Sequence, residues 1–311
     1  MNQIEYQRIS GKILRGLITE ANAQAFQDLF WKVATSAFTN FKKVKPQGSK
    51  GDKKNDGYRE GEGIFYQVYS PENPKENAQK AVEKMITDFG GLYKFWNDID
   101  PIKEFYFAFN DKFQGAYPDL RSALSKLQKT KKYSEIKFHL FNADDLQRMF
   151  RELSPEKQDE ILHLNSDETI LSYESLNIVA EHLKSLEIPD DVSAKLIAPD
   201  FEEKIAFNHL SASSTEMLKK HYENISEVEK YFSEIDDKEL KQELQEKFTH
   251  LYNSAVKKYG EPADEECSDN IFFDILTCSS SHSMMEPAIR KAALSLMALY
   301  FESCDIYKEP K

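Results

Sequence analysis

Cysteine is scarce in this 311-residue chain: Cys267, Cys278 and Cys304 form no CxxC pair and leave an odd thiol. That excludes a disulfide-stapled scaffold and points to a reducing setting. The seven histidines never pair at metal-ligand spacing, which argues against a zinc site. No run approaches the ~18 consecutive apolar residues of a membrane span. The opening residues MNQIEYQRISGKILRG lack the apolar core and small-residue cleavage site of a signal peptide. Low-complexity tracts and internal repeats are missing too. Together these absences predict a cytoplasmic protein without a membrane segment, long enough for two domains at roughly 100–200 residues each.

Positive charge is also in short supply: 41 Lys and Arg stand against 53 Asp and Glu, a net charge of −12. Such a balance argues against a protein that coats nucleic acid non-specifically. The distribution qualifies this, because residues 1–60 hold 11 basic against 6 acidic residues. The excess gathers at Lys42, Lys43, Lys45, Lys50, Lys53 and Lys54. A solvated loop is the ordinary meaning of such a cluster. Its position beside Asp56 raises the alternative of a patch that attracts phosphate.

What is present in quantity is periodic apolar patterning. Phe26, Leu29, Phe30, Val33, Ala34, Ala37, Phe38 and Phe41 recur at helical spacing, with Gln27 on the flank of the stripe. Ile64 to Tyr69 alternates as a strand with bulky residues on both faces, followed by a helix predicted to stop at Gly90-Gly91. Glu104 to Phe109 and Ile136 to Leu140 read as further strands, separated by a helix through Leu120, Leu124 and Leu127. The order α-β-β-β-α-β-α-β-α is that of an α/β sandwich with a mixed sheet. Ser154-Pro155 marks a boundary. A segment to about Asp200 carries a helix at 176–186 and Pro-marked turns at Ile188-Pro189-Asp190 and Ala198-Pro199-Asp200. Beyond it the chain reads as helical: one helix from Met217 to Phe232, a second from Leu240 to Tyr259 closed by Gly260, and a mostly apolar one from Pro287 to Phe301.

The stretch GDKKNDGYREGEGIFYQVYSPE concentrates the chemistry. A turn runs into a strand, and Asp56 and Gln67 face one another if the two arms pair. An acidic and a polar oxygen brought together by a hairpin suit Mg²⁺, a hard cation that prefers oxygen ligands; a hairpin that merely turns is the plain alternative. Tyr66, Tyr69, Phe105 and Phe107 are core packing before they are stacking platforms for bases. His139 reads as a core histidine. Ser279-Ser280-Ser281-His282-Ser283 reads as a polar loop, and Cys304-Asp305 as a packing or docking element.

GDKKNDG followed by YQVY resembles the G-D-G-G-x-D-G … Q-x-K core of the Mrr-type branch of PD-(D/E)xK nucleases, and FQDLF resembles that branch's F-E-x-L helix. KPQGSKGDKKNDGYREGEGIFYQVYSPE and FAFNDKFQGAYPDLRSALSKL are similar to the nuclease-like effector subunits of ABC-three-component systems, which overlap with Lamassu-type anti-phage modules. IAFNHLS near residue 205 and the terminal LYFESCDIYKEP are similar to the C-terminal domain of those subunits. This resemblance implies a PD-(D/E)xK restriction-endonuclease-like sandwich at 1–153, a helical connector at 154–200 and an all-α C-terminal domain at 201–311.

The resemblance further implies a metal-dependent DNA endonuclease acting in anti-phage or anti-plasmid defence with Mg²⁺ or Mn²⁺. Asp56 would be the metal-binding acid, Gln67 a ligand through its amide oxygen, and Val68 a backbone carbonyl donor. Lys42, Lys43, Lys45, Lys50, Lys53 and Lys75 would meet nucleic acid. Two positions depart from the family pattern. Tyr69 stands where the lysine is expected, so Lys53, Lys54 or Lys75 would have to supply the cation, and Gln27 stands where the helix usually carries glutamate. The implied partners are DNA, an SMC-like ABC ATPase, a small middle-component subunit and further copies of the chain. The competing reading is a catalytically degenerate adaptor with the nuclease fold, binding nucleic acid or partner subunits.

Overall fold

The computed structural model describes residues 3–45, 53–115, 117–164, 170–187, 201–280, 286–303 and 306–308. Lys50 and its glycine-marked loop, both Pro-marked turns, Ser281-His282-Ser283, Cys304-Asp305 and Glu309-Pro310 lie outside the described residues. The chain divides into two compact units, Ile18–Ile161 and a second made of Met1–Leu17 with Leu162–Lys311. Among the described residues no helix is long and apolar enough to cross a membrane.

The first unit follows the expected order. Helix α2 (Ala23–Ala37) leads into β1 (Phe41–Lys43), β2 (Gly57–Arg59) and β3 (Ile64–Tyr69). Then come α3 (Ala78–Trp96), β4 (Glu104–Phe109), α4 (Pro118–Lys129), β5 (Lys137–Phe141), α5 (Ala143–Arg151) and α6 (Pro155–Leu162). The strands lie in sequence order, antiparallel from β1 to β3 and parallel from β3 to β5. The sheet is therefore mixed, and each parallel step is bridged by a helix, as parallel strands require.

Strand alternation sorts the core onto two faces. Phe65, Phe105, Phe107 and Phe109 pack with Met85, Phe89 and Leu92 of α3 and Leu120 and Leu124 of α4. On the other face Phe30 of α2 meets Phe41, Tyr66 and Phe141 at ring separations of 6.0, 5.5 and 5.8 Å. The aromatic residues Tyr66, Phe105 and Phe107 are thus core. His139 is not: on edge strand β5 its ring stacks on Tyr106 at 4.4 Å, and Nε2 lies 3.2 Å from a Glu104 oxygen.

Several boundaries differ from the sequence reading. Helix α3 continues through Gly90-Gly91 to Trp96. A Cβ at Gly91 would lie 3.1 Å from Lys54 Cγ, so this glycine makes room for a side chain rather than ending the helix. The break expected at Ser154-Pro155 does not separate the units. Gln158 of α6 donates to the Phe150 and Leu153 carbonyls, and Lys157 Nζ to Ser36 O at 2.8 Å, which ties α6 to the sheet unit.

The second unit takes residues 3–17 of helix α1 (Gln3–Glu20), which the periodicity reading had not singled out. The expected division at 153 and 200 therefore does not coincide with the compact units. Polar contacts explain why: Arg8 pairs with Asp269 and donates to Ser211 Oγ at 2.7 Å, Lys12 reaches Asn270, and Gly16 lies against Thr277. The partners belong to α12 (Glu265–Ser280) and to the cap of α9 (Ala212–Tyr222).

The remaining helices are α7 (Tyr173–Ser185), α8 (Phe201–Phe207), α10 (Ile225–Glu234), α11 (Leu240–Tyr259) and α13 (Pro287–Glu302). The expected single helix 217–232 is two, α9 and α10, broken at Glu223-Asn224. Gly260 ends α11 at φ +92°, as expected. Helix α13 packs against α7, α9, α10, α11 and α12 and is buried nearly throughout. Ser279 and Ser280 end α12 in buried positions rather than in a loop.

The two C-terminal sequence motifs hold one another. Asn208 of the first donates to Lys308 O at 2.7 Å and accepts from Lys308 N at 2.9 Å. Fully buried Lys204 donates to the Phe301 carbonyl, and buried Tyr307 donates to Ser268 O at 2.8 Å.

Candidate functional site

Asp56 sits at the entrance of β2, where chain direction is fixed by backbone bonds. Its N–H donates to Tyr66 O at 3.1 Å, and its carbonyl accepts from Trp31 Nε1 at 2.7 Å and from Val44 N at 3.3 Å. The hairpin beyond it turns at Gly61 and Gly63, both at positive φ, and Gly57 pairs with Tyr66. This brings Asp56 alongside β3.

The Asp56 side chain is buried, and both its oxygens are engaged. Oδ1 accepts from Gln27 Nε2 at 2.5 Å and Oδ2 from Val68 N at 2.7 Å. Gln27 does point inward, but as an amide donor to Asp56. Val68 offers Asp56 its N–H while its strand pairs with β4 at Ala108.

Gln67 is 4 % exposed, and its Oε1 has no hydrogen-bond partner among the described residues. A buried acceptor left in this way is uncommon. Strand alternation puts Gln67 on the face of Phe65 and Tyr69, toward α3. Asn55, beside Asp56 and fully buried, accepts from Gly57 N at 3.0 Å, and its Nδ2 likewise has no partner among the described residues. Two orphaned amide atoms, one donor and one acceptor, thus belong to residues around Asp56. The sequence reading overlooked Asn55.

Tyr69 is half-buried, packed on Phe107 and Phe109, with Lys84 Nζ 5.7 Å from its ring centre. Lys54 Nζ lies 3.0 Å from Asp88 Oδ1, and Lys84 Nζ lies 2.5 Å from Asp88 Oδ2. Lys84 and Asp88, both on α3, were missed because i,i+4 ion pairs on helices are usually surface ornament. Burial of Asp88, 3 % exposed at its side chain, distinguishes this pair from such surface contacts.

The remaining described lysines each have their own surroundings. Lys42 pairs with Glu60 at 3.4 Å, Lys43 lies over Trp31 and Lys53 over Phe95, while Lys45 and Lys75 are exposed. Glu62, at the hairpin tip, pairs with Arg59 at 2.6 Å.

Among the described residues no group of three His, Cys, Asp or Glu side chains is placed to hold a metal ion. A divalent ion here would rest on one carboxylate and a neutral amide oxygen. Those donors fit Mg²⁺ or Mn²⁺, which take oxygen ligands, and Mg²⁺ commonly binds through one or two carboxylates while keeping several waters. Gln67 Oε1, buried and without a hydrogen-bond partner among the described residues, is an oxygen of the type such an ion takes. A carboxylate offers about four lone-pair sites, so the bonds from Gln27 and Val68 do not by themselves exhaust Asp56.

The FAFND segment is structural by contrast. Asn110 Nδ2 donates to Ile18 O, Ala21 O and Ser70 Oγ, holding the end of α1. Asp111 accepts from Phe113, Gly115 and Ala143 N–H groups; its burial raises the pKa of its carboxyl. Tyr106 donates to Glu104 Oε2 at 3.0 Å, and burial, reinforced by that carboxylate, pushes its hydroxyl up to about 12.

Residues 174–308 match the family described as C-terminal domain 10 of the ABC-three-component (ABC-3C) systems. No curated protein and no solved structure matches the chain. The family match covers helices α7 to α13 and both interlocked motifs, so this part of the chain carries a domain of multi-component systems.

Proposed function

We propose that the chain is the effector of an ABC-three-component defence system, a cytoplasmic Mg²⁺-dependent DNA endonuclease whose site is built on Asp56 and Gln67. The match at 174–308 supports membership of such a system. The nuclease reading is carried by one observation: a buried Gln67 Oε1 without a hydrogen-bond partner among the described residues, on the strand whose Val68 N–H binds the Asp56 carboxylate.

Asp56 and Gln67 would hold the ion. When bound, it supplies Lewis acidity at a phosphoryl oxygen and an activated water. Gln27 and the Val68 N–H fix the Asp56 carboxylate from two sides. The Tyr69 hydroxyl can donate a hydrogen bond to a phosphate oxygen. With one anionic ligand fewer than a two-carboxylate site, metal affinity is low, since ligand charge tunes it. In this reading the helical unit docks the chain on an SMC-like ABC ATPase and a small middle-component subunit. Cutting both strands takes two sites, hence a homo-oligomer.

A specific observation favours the second reading, a nuclease-fold adaptor: Gln27 is spent as a donor to Asp56 where a second carboxylate would otherwise stand. Cleavage of supercoiled plasmid separates the two. The expected outcome is nicking and linearisation that needs Mg²⁺ or Mn²⁺ and falls at least a hundredfold in Asp56→Ala. A protein that assembles with its partners yet leaves plasmid intact under every metal condition is the adaptor.

A further inference from the structure

Asp88 is a buried carboxylate served by two lysines, although one would neutralise it. Lys84 approaches Oδ2 from one turn earlier on α3, and Lys54 approaches Oδ1 from the loop before Asp56. Burying a charge requires pairing, which explains one partner. The second leaves the trio with a net positive charge.

The chain adopts unusual geometry to bring Lys54 there. Lys53 and Lys54 are consecutive non-glycine residues at φ +55° and +65°, a left-handed region that such residues rarely occupy. On the receiving side α3 carries Gly91, where a Cβ would press on the Lys54 stem at 3.1 Å. Glycine inside a helix is unfavourable, so its presence under Lys54 is a second, independent accommodation.

Both lysine side chains remain partly open to solvent, Lys54 51 % and Lys84 35 % exposed. Each carries three donors, so a carboxylate contact does not use up either group. Their position is defined by neighbours: Lys54 lies two residues from Asp56, and Lys84 stands over Tyr69, two residues from Gln67 on the same strand face.

We infer that Asp88 holds Lys54 and Lys84 together as a two-ammonium clamp for a backbone phosphate of DNA, beside the Asp56–Gln67 site. The assignment rests on the nuclease reading for the identity of its ligand. It gives the cation missing at Tyr69 a place: the charge comes from α3 and the preceding loop, fixed by a carboxylate instead of by the strand.

The test is fluorescence anisotropy of a labelled DNA duplex with the full chain in EDTA, over a salt series. Lys54→Gln and Lys84→Gln are each expected to weaken binding and to reduce the slope of log K against log salt by about 0.9, one phosphate contact. Lys126→Gln, an exposed lysine of α4, serves as control. Asp88→Asn decides between a clamp and diffuse attraction. It removes a negative charge, so diffuse attraction predicts tighter binding, whereas loss of the clamp predicts at least threefold weaker binding.

Asp88→Asn that binds as tightly as wild type or tighter overturns the inference. So do Lys54→Gln and Lys84→Gln indistinguishable from Lys126→Gln, or a wild-type chain that does not bind DNA. If Asp88→Asn melts well below wild type, the two lysine variants carry the decision. Because binding is read in EDTA, an inactive wild type with an intact clamp defeats only the nuclease reading. Metal-dependent cutting with unaffected lysine variants defeats only the clamp.

Discussion

At position 56 a single aspartate organises its surroundings through backbone and side chain alike, drawing Gln27, Trp31, Val44, Tyr66 and Val68 onto itself. His221 shows the opposite case, a titratable ring whose surroundings suppress its charge. Burial above all, with Lys220, Lys291 and Arg290 adding to it and the Met217 carbonyl opposing, lowers its pKa to about 4. The native state then binds fewer protons than the unfolded chain between pH 6.5 and 4. Its stabilising effect is therefore complete above pH 6.5 and is lost as pH falls, by about 2 kcal/mol at pH 5. Circular dichroism melting is expected to show that decline, and His221→Gln should flatten it; an unchanged pH profile in the variant would place the decline elsewhere.

At the scale of elements, the β2–β3 hairpin yields a contrast between its two glycines. Gly63, at φ +71°, faces the Pro101 carbonyl, 2.5 Å from where a Cβ would sit, whereas Gly61 at φ +78° faces open space. Gly61→Ala should cost about 1 kcal/mol for its backbone alone, and Gly63→Ala distinctly more, because a rigid carbonyl must move. Urea unfolding followed by tryptophan fluorescence checks this, since Trp31 and Trp96 both lie in the 18–161 unit. Equal effects of the two substitutions would show that the Pro101 contact relaxes freely.

The same elements show what could be read from sequence. The α2 stripe, the alternation of β3, the succession of helices and strands along the first unit and the Gly260 stop follow from local periodicity and turn chemistry. The rest was hidden by tertiary terms. Gly91 resembles a helix stop and is a clearance for Lys54. Helix α12 buries Ser268 and Asp269, polar residues that a hydropathy pattern reads as loop. The α9–α10 break at Glu223-Asn224 has neither proline nor glycine to announce it. For the site, Asp56, Gln67 and Gln27 were visible in the motif. Lys84 and Asp88 were not, because their spacing is that of any solvated helix pair.

For the whole molecule, the decisive element is α1, which is divided between the two units at Leu17. Asp269 is fully buried, and Arg8 is its cationic partner, with Ser211 and Ser214 hydroxyls donating to it at 2.8 and 2.6 Å. A fragment of residues 162–311 should therefore be destabilised by roughly 3 kcal/mol, the usual penalty for stripping a buried charge of its partner. A synthetic peptide of residues 1–17 is expected to raise its melting temperature, and the peptide with Arg8→Ala to do so much less. A fragment that melts identically with and without peptide would show that the helices complete themselves.

The same arrangement sets an order on biosynthesis. Arg8 leaves the ribosome 261 residues ahead of Asp269, an interval of tens of seconds at about 5–20 residues per second. During that interval the sheet unit, contiguous from Ile18 to Ile161, can already fold. Residues 3–17 of α1 meanwhile wait for helices not yet made. A chain interrupted before α12 would thus carry a finished sheet unit and an α1 segment whose Arg8 still lacks Asp269, so completion of the helical unit waits on synthesis of α12.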